Sequence, residues 1–356
     1  MMSEELNKFR TQIDNIDDEL LKLINQRAKL AQEIGHAKKG AVVLRPEREA
    51  QVLQRLAAAN PGPLSAQSVT ALFTEVMSHC RALEEPLSVA FLGPQGTFTE
   101  AAMFKRFGHA CSGVSCSSID EVFRKVESGE ARYGVVPVEN STEGAIGRTL
   151  DLLLQSPLRL CGEVSLAVHQ CLLSQDADLS AIKRVYSHPQ SLGQCQDWFN
   201  THLAHAERIS VASNAEAASL AAKEKHSAAI AGKQAAERFN IPVQAANIED
   251  DPRNTTRFLV IGNQDVAASG KDKTSLVMSA VNRPGAVHDL LVPLARHGVS
   301  MSKLESRPAR AGLWEYVFFV DIEGHQTDKK IAAALKELQE VAAFVKILGS
   351  YPVAAI

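Results

Sequence analysis

The chain has 356 residues, a formal net charge of -3 and 45% hydrophobic residues, which is typical of a soluble protein with two or three domains. This charge disfavours nucleic acid as a partner, and no apolar run approaches the ~18 residues that a membrane span requires. The acidic start, Met1 to Glu5, also differs from the basic and then apolar start of a signal peptide. We therefore expect a cytoplasmic protein without membrane contact.

The polar and sulfur-containing residues give no sign of a cofactor. The six cysteines show no CxxC spacing and the eleven histidines no HExxH motif, so neither a metal site nor a disulfide framework is predicted. The segment Gly93 to Gly96 has the spacing of neither a dinucleotide fingerprint nor a P-loop. We expect free thiols and no cofactor.

The N-terminal residues predict one long amphipathic helix whose apolar seam runs over about five heptads. Arg27 interrupts this seam. Either its guanidinium is buried beside an anion that pairs with it, or its aliphatic chain extends past the neighbouring residues and leaves the guanidinium in water. The seam is too long for this small region to cover alone, which favours a homodimer. Its apolar members recur at alternating spacings of three and four: Leu6, Phe9, Ile13, Ile16, Leu20, Leu23, Leu30, Ile34 and Ala37.

Three cations on this helix cannot all point at one ligand. At 100° per residue, Lys38 returns to within about 20° of the direction of Arg27, whereas Arg10 lies about 100° away. If the three share a site, Arg10 comes from a second copy of the helix in a homodimer.

Two shorter helices follow the first. Gly40 and a turn from Arg45 to Glu49 end the long helix, a second helix begins at Val52, and a third runs from Ser65 to Leu83. The charged residues of the region predict a cationic pocket with two acids, suited to a small dicarboxylate: Arg10, Arg27, Lys38, Arg48, Glu49 and Glu84.

With this pattern, residues 3 to 84 resemble the all-helical chorismate mutase domain. The resemblance implies an intertwined dimer of three-helix chains that clamps the two carboxylates of chorismate, with Glu84 as hydrogen-bond donor to the ether oxygen. A Glu donates only when protonated, so mutase activity should depend on pH. Arg45 and Cys80 depart from the family pattern, which leaves the contact to the substrate hydroxyl open. The implied binding residues are Arg10, Arg27, Lys38, Arg45, Arg48, Glu49 and Glu84.

Residues 87 to 265 alternate apolar strands with helices that begin in capping-box patterns. A Thr, Ser or Asn precedes a Glu by three residues at Thr97, Ser118, Asn140 and Ser213. This pattern predicts a mostly parallel sheet with helix N-termini, which can bind anions, along its carboxyl edge. Two such lobes would enclose a cleft, as in periplasmic solute-binding proteins, so a non-catalytic binding module competes with an enzyme here.

The stretch from Asp250 to Phe258 predicts a polar loop that delivers Asn254, two hydroxyls and Arg257 to the mouth of a strand. It contains one of four motifs that together resemble prephenate dehydratase. The four motifs, in chain order, are Gly93 to Glu100, Val138 to Gly144, Ser187 to Gln190 and Thr256 to Phe258.

This resemblance implies that prephenate loses carbon dioxide and its ring hydroxyl together and gives phenylpyruvate. Thr256 is expected to position the departing hydroxyl or relay a proton, while Arg257 or the helix ends near Thr97 and Asn140 hold carboxylates. Glu139 is the one carboxylate that could act as an acid, with a structural salt bridge as the alternative. The implied cleft residues are Thr256, Asn140, Ser141, Gln190, Gln194 and Arg257.

Residues 272 to 356 predict a ferredoxin-like βαββαβ order. The small-residue turn from Arg283 to Val287 stands at a helix start, and Glu305 to Pro308 ends the next strand. These two motifs resemble an ACT domain of the phenylalanine-sensing kind, in which paired domains bind the amino acid at their interface. A purely structural dimerisation module is the alternative. The implied phenylalanine ligands are Gly285, Ala286, Val287, Glu305, Ser306 and Arg307.

Together the three regions predict a multidomain fold. It comprises an all-α three-helix domain over residues 1–86 in an intertwined dimer, a two-lobed, periplasmic-binding-like α/β domain over 87–265, and an α+β ferredoxin-like ACT domain over 272–356. The resemblances imply an isomerase and lyase of L-phenylalanine biosynthesis that acts on chorismate and prephenate. They also imply L-phenylalanine as allosteric inhibitor and a homodimer or higher homo-oligomer. There are two alternatives. One is a dehydratase whose helical arm only dimerises, and the other is a non-catalytic small-anion binding module.

Overall fold

The structure is a computed structural model that describes residues 2–37, 44–281, 283–309 and 316–354. These residues form two compact units. The first contains the N-terminal helices apart from Pro46–Gln51, together with Phe107–Ser112. The second contains Pro46–Gln51 and the remainder of the chain. Among the described helices, none combines the length and the hydrophobicity that crossing a bilayer demands.

Three helices were predicted for the N-terminal region, and three are present. They are α1 (Met2–Ala37), α2 (Pro46–Ala59) and α3 (Ala66–Ala82). The hydroxyl of Ser65 caps α3 by accepting a hydrogen bond from the N–H of Ser68 at 3.0 Å. The predicted break at Gly40 lies outside the described residues.

The apolar seam of α1 is exposed along its whole length. An exposed apolar face of this size is typical of a surface that pairs with another chain. Eight seam residues each expose between 50% and 59% of their surface: Leu6, Phe9, Ile13, Ile16, Leu20, Leu23, Leu30 and Ile34.

The middle region contains two mixed sheets with helices. In chain order its elements are β1 (Ser88–Leu92), α4 (Phe98–Phe107), β2 (Ser112–Cys116), α5 (Ile119–Glu127), β3 (Tyr133–Asn140), β4 (Gly144–Ala145), α6 (Gly147–Gln155), β5 (Arg159–Ala167), β6 (Cys171–Ser174), β7 (Arg184–Ser187), α7 (Pro189–Gln194), α8 (Gln196–His202), β8 (Glu207–Ser210), α9 (Asn214–Ala221), β9 (Ser227–Ala231), α10 (Lys233–Phe239), β10 (Val243–Ala246) and β11 (Thr255–Gly262).

The two sheets confirm the two-lobed α/β fold but not the mostly parallel pairing. The first has the order β2-β1-β3-β11-β5, with β4 beside β3, and the second has the order β10-β6-β9-β7-β8. Strand β11 runs antiparallel to both β3 and β5, and β6 runs antiparallel to both β9 and β10. The reason is topological, because the chain leaves the first lobe along β5 and returns to it along β11.

Three of the four predicted capping boxes are present. The side chains of Thr97, Ser118 and Ser213 each accept a hydrogen bond from the N–H three residues later. The Oδ1 of Asn140 also accepts the N–H three residues later, at 3.3 Å, but the prediction of a helix there is wrong, because Asn140 ends β3. Instead Gly144, with a φ of +81°, turns the chain back so that β4 pairs with β3, and α6 begins only at Gly147.

Two crossing segments join the lobes and are bonded to each other. The N–H of Val168 donates to the carbonyl of Asn254 at 2.8 Å, and the N–H of Ile248 donates to the carbonyl of Gln170 at 2.9 Å. The buried carboxylate of Glu249 accepts the N–H of Gln170 at 2.8 Å. These bonds fix where the 250–256 loop meets β11.

The C-terminal region has the predicted ferredoxin-like βαββαβ order. Its sheet order is β13-β14-β12-β15, and every neighbouring pair is antiparallel. The elements are β12 (Asp272–Ser279), α11 (Ala286–Arg296), β13 (Met301–Pro308), β14 (Tyr316–Glu323), α12 (Lys329–Val341) and β15 (Phe344–Pro352). The first residues of the predicted strand from Leu313 lie outside the described residues.

The C-terminal sheet packs against the first lobe through a shared core. Leu259 and Ile261 of β11 belong to the same buried cluster as Val277, Phe319 and Tyr351 of the C-terminal sheet. This shared core means that the two domains are packed as one body at β11.

Candidate active sites

A connected cluster of polar side chains lies where β3 and β11 pair. Asn140 and Thr256 stand opposite each other in the register, and both are buried. The Nδ2 of Asn140 donates a hydrogen bond to the Oγ1 of Thr256 at 2.8 Å. Strand alternation places both side chains on the same face of the sheet.

The surrounding backbone fixes the orientation of the Asn140 amide. Its Oδ1 accepts the N–H groups of Thr142 and Glu143 at 3.0 and 3.3 Å. Its Nδ2 must therefore be the group that faces Thr256. Because Oγ1 of Thr256 accepts in this bond, the hydroxyl proton of Thr256 is free to be donated elsewhere.

A third residue, Asn254, completes this cluster. The Nδ2 of Asn140 also donates to the Oδ1 of Asn254 at 2.8 Å, and Asn254 is only 1% exposed. Among the residues that the structure describes, nothing accepts a hydrogen bond from the Nδ2 of Asn254. A buried donor without a partner is destabilising, so this amide marks a place where a ligand can accept. The sequence predicts Asn254 in the loop but gives no signal that separates it as a site residue.

The second lobe brings its own amides towards this cluster. The Nε2 of Gln194 donates to the hydroxyl of Thr142 at 3.4 Å, which connects the lobes across the cleft. Behind it, Gln170 donates to the hydroxyl of Ser191 at 3.1 Å. The Oε1 of Gln170 is buried without a partner in the described part of the chain. The cleft thus has an unused acceptor as well as an unused donor.

Two other predicted cleft residues have different surroundings. The hydroxyl of Ser141 accepts the N–H of Thr255 at 3.0 Å and so fastens the loop before β11. Gln190 is half-buried at the start of α7, where its N–H donates to the ring of His188 at 3.3 Å. Ser141 therefore holds the loop, and Gln190 stands at a helix start.

The predicted mutase residues are divided between the two units. In the first unit Arg10 is exposed, Arg27 is half-buried in the seam, and Glu84 lies close enough to Gly35 that a Cβ there would be 2.7 Å from its Cγ. Lys38 lies outside the described residues. Arg45, the last residue of the first unit before α2, is exposed. In the second unit, the exposed Arg48 is in the first turn of α2. Glu49, also in that turn, is bonded to Arg106 at 3.0 Å, so its carboxylate is not left for a substrate.

The predicted phenylalanine ligands lie on two elements of the C-terminal sheet domain. Gly285 precedes α11 with a φ of +79°, which favours glycine, and Ala286 and Val287 form its first turn. Glu305 and Ser306 are on β13, where alternation directs them to opposite faces.

Comparison with known proteins matches all three regions. Family models match in chain order: chorismate mutase type II over residues 9–85, prephenate dehydratase over 89–266 and the ACT domain over 274–340. A relative from Neisseria gonorrhoeae, described as a bifunctional chorismate mutase/prephenate dehydratase, is 53% identical over 358 residues, covering 100% of this chain and 99% of the relative. The chain belongs to this bifunctional family.

Two further matches are to a bifunctional relative and to a prephenate dehydratase of known structure. A relative from Pseudomonas aeruginosa with the same description is 46% identical over 361 residues, covering 99% of each chain. A crystal structure of prephenate dehydratase from Arthrobacter aurescens in complex with L-Phe is 34% identical with a TM-score of 0.69. That match covers 75% of this chain and 90% of the other.

Within the dehydratase domain, the prediction that Arg257 holds a substrate carboxylate is wrong. Arg257 follows Thr256 on the same strand, so its side chain leaves by the opposite face, towards the ACT domain. There it donates to Glu163 at 2.8 Å and to Asp321 at 2.6 Å. Burial alone lowers the pKa of Arg257, but its neighbours, Tyr351 and Asp321 foremost, raise it well above the usual value, so the guanidinium stays charged.

Two other charged residues predicted as site residues also contact the neighbouring domain. Glu139 precedes Asn140 on β3 and is bonded at 2.7 Å to Lys303 of the ACT domain, so it forms the salt bridge that was its alternative role. Arg307, a predicted phenylalanine ligand, is instead bonded at 3.0 Å to Asp151 of the dehydratase domain. Both side chains therefore form salt bridges between the dehydratase and ACT domains.

Proposed function

We propose that this chain catalyses two successive reactions, chorismate to prephenate and prephenate to phenylpyruvate, under feedback inhibition by L-phenylalanine. The observation that carries the dehydratase assignment is the buried cluster of Asn140, Thr256 and Asn254. Its unused donors are a hydroxyl proton and an amide N–H, and both are neutral.

These donors suit the dehydration step. In prephenate the bond to the ring carboxylate breaks and releases carbon dioxide, its electrons enter the ring, and the ring hydroxyl departs as water once it has gained a proton. Hydroxide is a poor leaving group, so a donor at that oxygen lowers the barrier. Thr256 supplies the hydrogen bond or relays the proton, Asn140 holds the threonine oxygen in place, and Asn254 donates beside it.

The opposite lobe completes the proposed site. Gln194 and Gln190 bind the polar groups of the ring substrate from their side of the cleft, while Ser141 holds the loop that contains Asn254. The unused acceptor of Gln170 is available to a hydroxyl or other donor of the ligand. We expect the substrate to bring the two lobes together around itself.

We propose that the mutase reaction occurs between two copies of the helical region. The rearrangement is pericyclic and needs no nucleophile, so cations that hold the reactive conformer and stabilise the breaking ether suffice. Arg27, Lys38 and Arg48 would bind carboxylates, Arg10 would come from the partner chain, and Glu84 would donate to the ether oxygen. The exposed seam of α1 supports this dimer, because pairing would bury it.

Mixing two inactive variants tests the shared site. If Arg10 and Arg27 of one site come from different chains, Arg10→Ala and Arg27→Ala chains, unfolded and refolded together, form mixed dimers with one intact site. Random pairing then restores about a quarter of the unmodified mutase activity. The two variants have the same mass, so each is given a different affinity tag and the mixed dimers are isolated on both tags. No activity in those doubly tagged dimers would contradict the proposal.

We further propose that L-phenylalanine binds the ACT domain near Gly285, Ala286, Val287, Glu305 and Ser306. The glycine before α11 leaves N–H groups at a helix start for the amino acid's carboxylate, which supports this placement. Arg307 is omitted because Asp151 engages it. A cytoplasmic location is part of the same proposal.

Incubation of the purified chain with chorismate distinguishes the alternatives. We expect prephenate and then phenylpyruvate, with slower formation of phenylpyruvate in saturating phenylalanine. Turnover of added prephenate but not of chorismate would favour a dehydratase with a merely dimerising arm. Binding of prephenate without any turnover would favour the non-catalytic module.

A further inference from the structure

The strands that contain the cleft residues have a second face that the reaction does not use. On β3, Asn140 points to the cleft and Glu139 to the ACT domain; on β11, Thr256 points to the cleft and Arg257 to the ACT domain. Glu139 and Arg257 are themselves opposite each other in the register. Each cleft side chain is therefore one peptide bond from a charge that contacts the ACT domain.

Arg257 is held by groups from both domains. Its Nε donates to Glu163 of the dehydratase sheet at 2.8 Å, and one terminal nitrogen donates to Asp321 of β14 at 2.6 Å. Its other terminal nitrogen donates to the hydroxyl of Tyr351 at 3.0 Å. Every nitrogen of the guanidinium thus has a partner, and the fork geometry fixes the side chain in one orientation.

The partners of Arg257 are fixed in turn by the ACT sheet. The hydroxyl of Ser275 on β12 donates to Asp321 and lies 2.6 Å from the hydroxyl of Tyr351. Lys273 on the same strand contacts Glu163 at 2.9 Å. Asp321, Ser275 and Tyr351 are all buried, so this network is shielded from water and its charges interact strongly.

A second contact reaches β3. Lys303 of β13 is bonded to Glu139 at 2.7 Å, and its side chain is only 12% exposed. Arg257 also lies 3.8 Å from Glu139. The ACT domain therefore holds both strands of the cleft pair, one by a carboxylate and the other by an ammonium group.

We propose that Asp321 and Lys303 of the ACT domain are positioning residues for the dehydratase reaction. Through Arg257 and Glu139 they set the register and twist of β11 against β3 at the point where Thr256 and Asn140 meet. This inference rests on the proposed dehydratase function of the cleft. The ACT domain would then contribute to the dehydratase reaction even when no phenylalanine is bound.

The arrangement also gives the inhibitor a short route to the cleft. Glu305 and Ser306, proposed to bind phenylalanine, lie on β13 between Lys303 and Arg307, which contact dehydratase carboxylates at 2.7 and 3.0 Å. A ligand that shifts β13 changes the contact on Glu139 directly. The ion pairs between the domains would then be the element that changes between the active and the inhibited state.

The test uses the full chain with Asp321→Asn, which removes the charge and keeps an oxygen that can accept from Arg257. Misplacement of a reacting group by about 1 Å is enough to lower a rate ~100-fold, so we expect kcat for prephenate to fall between about tenfold and 100-fold with KM nearly unchanged. Lys303→Met is expected to act in the same direction, and Asp321→Glu to recover most of the loss.

Lys346→Met is the matched control. Its ammonium group also joins the domains, bonding to carbonyls of Leu153, Leu154 and Ser156 at 2.7 to 2.9 Å, but it does not contact Arg257 or Glu139. We expect this variant to keep kcat within about twofold even if it lowers thermal stability. Phenylalanine inhibition should weaken in Asp321→Asn and Lys303→Met.

The two outcomes are distinct. If Asp321→Asn retains kcat, or loses it only in step with stability and to the same extent as Lys346→Met, the positioning role is overturned. If the unmodified chain turns over no prephenate, the proposed function itself has failed. Mutase activity measured on the same samples shows whether each variant is folded in its helical part.

Discussion

The dehydratase cleft and the helical region differ in how their functional side chains come together. In the cleft, pairing of β3 with β11 inside one chain places Asn140 and Thr256 in direct contact at 2.8 Å. In the helical region the apolar seam of α1 is exposed, Arg10 is exposed and Arg27 is half-buried. We therefore propose that the fold of one chain completes the first site, whereas the second needs another chain.

Because of this difference, we expect the two activities to respond to different substitutions. A substitution at the β3–β11 pair should affect prephenate turnover and leave the mutase reaction intact. A substitution on the seam of α1 should do the reverse.

Replacing Thr256 by Ala should have the largest effect. Loss of the hydroxyl donor should lower kcat for prephenate by about 10² to 10⁴, the usual contribution of a positioned proton donor. Mutase activity of the same sample should not change. Thr255→Ala is the matched control, since the hydroxyl of Thr255 donates to the carbonyl of Arg253 instead. Near-normal prephenate turnover in Thr256→Ala would exclude this loop from the reaction.

Replacing Asn254 by Ala should come next. Removal of one preorganised donor lowers kcat by about 10² to 10³ in comparable sites, and the loss should appear in kcat more than in KM. Asn254→Ser, which keeps a smaller donor and acceptor, should be intermediate. Equal kcat in the unmodified chain, Asn254→Ala and Asn254→Ser would show that the buried amide does not contribute to the reaction. Thermal melts of each variant separate a folding defect from a catalytic one.

A charge on the α1 seam should abolish pairing of the helices. Ile16→Lys should lower mutase activity by about 10², because the arginines of the two chains are no longer held together, and should leave prephenate turnover within about twofold. Asp18→Lys adds a cation on the same helix away from the seam and serves as the control. Equal mutase activity in the two variants would show that α1 does not need its partner.

The smallest effect concerns Glu84. Because its carboxyl group donates only when protonated, mutase activity should fall as the pH rises, and Glu84→Gln should flatten this profile. Gly35→Ala places a Cβ 2.7 Å from the Cγ of Glu84, so it should lower the mutase rate by about tenfold without changing the pH dependence. A pH profile that is the same with Glu and with Gln would refute the donor role.

Local signals in the sequence determined much of this architecture. The seam of α1, the serine cap of α3, three capping boxes and the βαββαβ order of the C-terminal region all follow from interactions between residues near one another in the chain. Such interactions repeat at a fixed period, so the sequence displays them directly. The family motifs likewise predicted a common site for Asn140 and Thr256, and their side chains are hydrogen-bonded to each other.

Tertiary structure alone decided where several charged side chains point. Arg257 and Glu139 face the ACT domain, Arg307 contacts Asp151, and Glu49 is bonded to Arg106. It also decided that β11 is antiparallel to its neighbours and that Asn140 ends a strand instead of starting a helix. These outcomes depend on which strand or domain packs on which face, and that choice is made between residues far apart in the chain, where neighbouring residues carry no record of it.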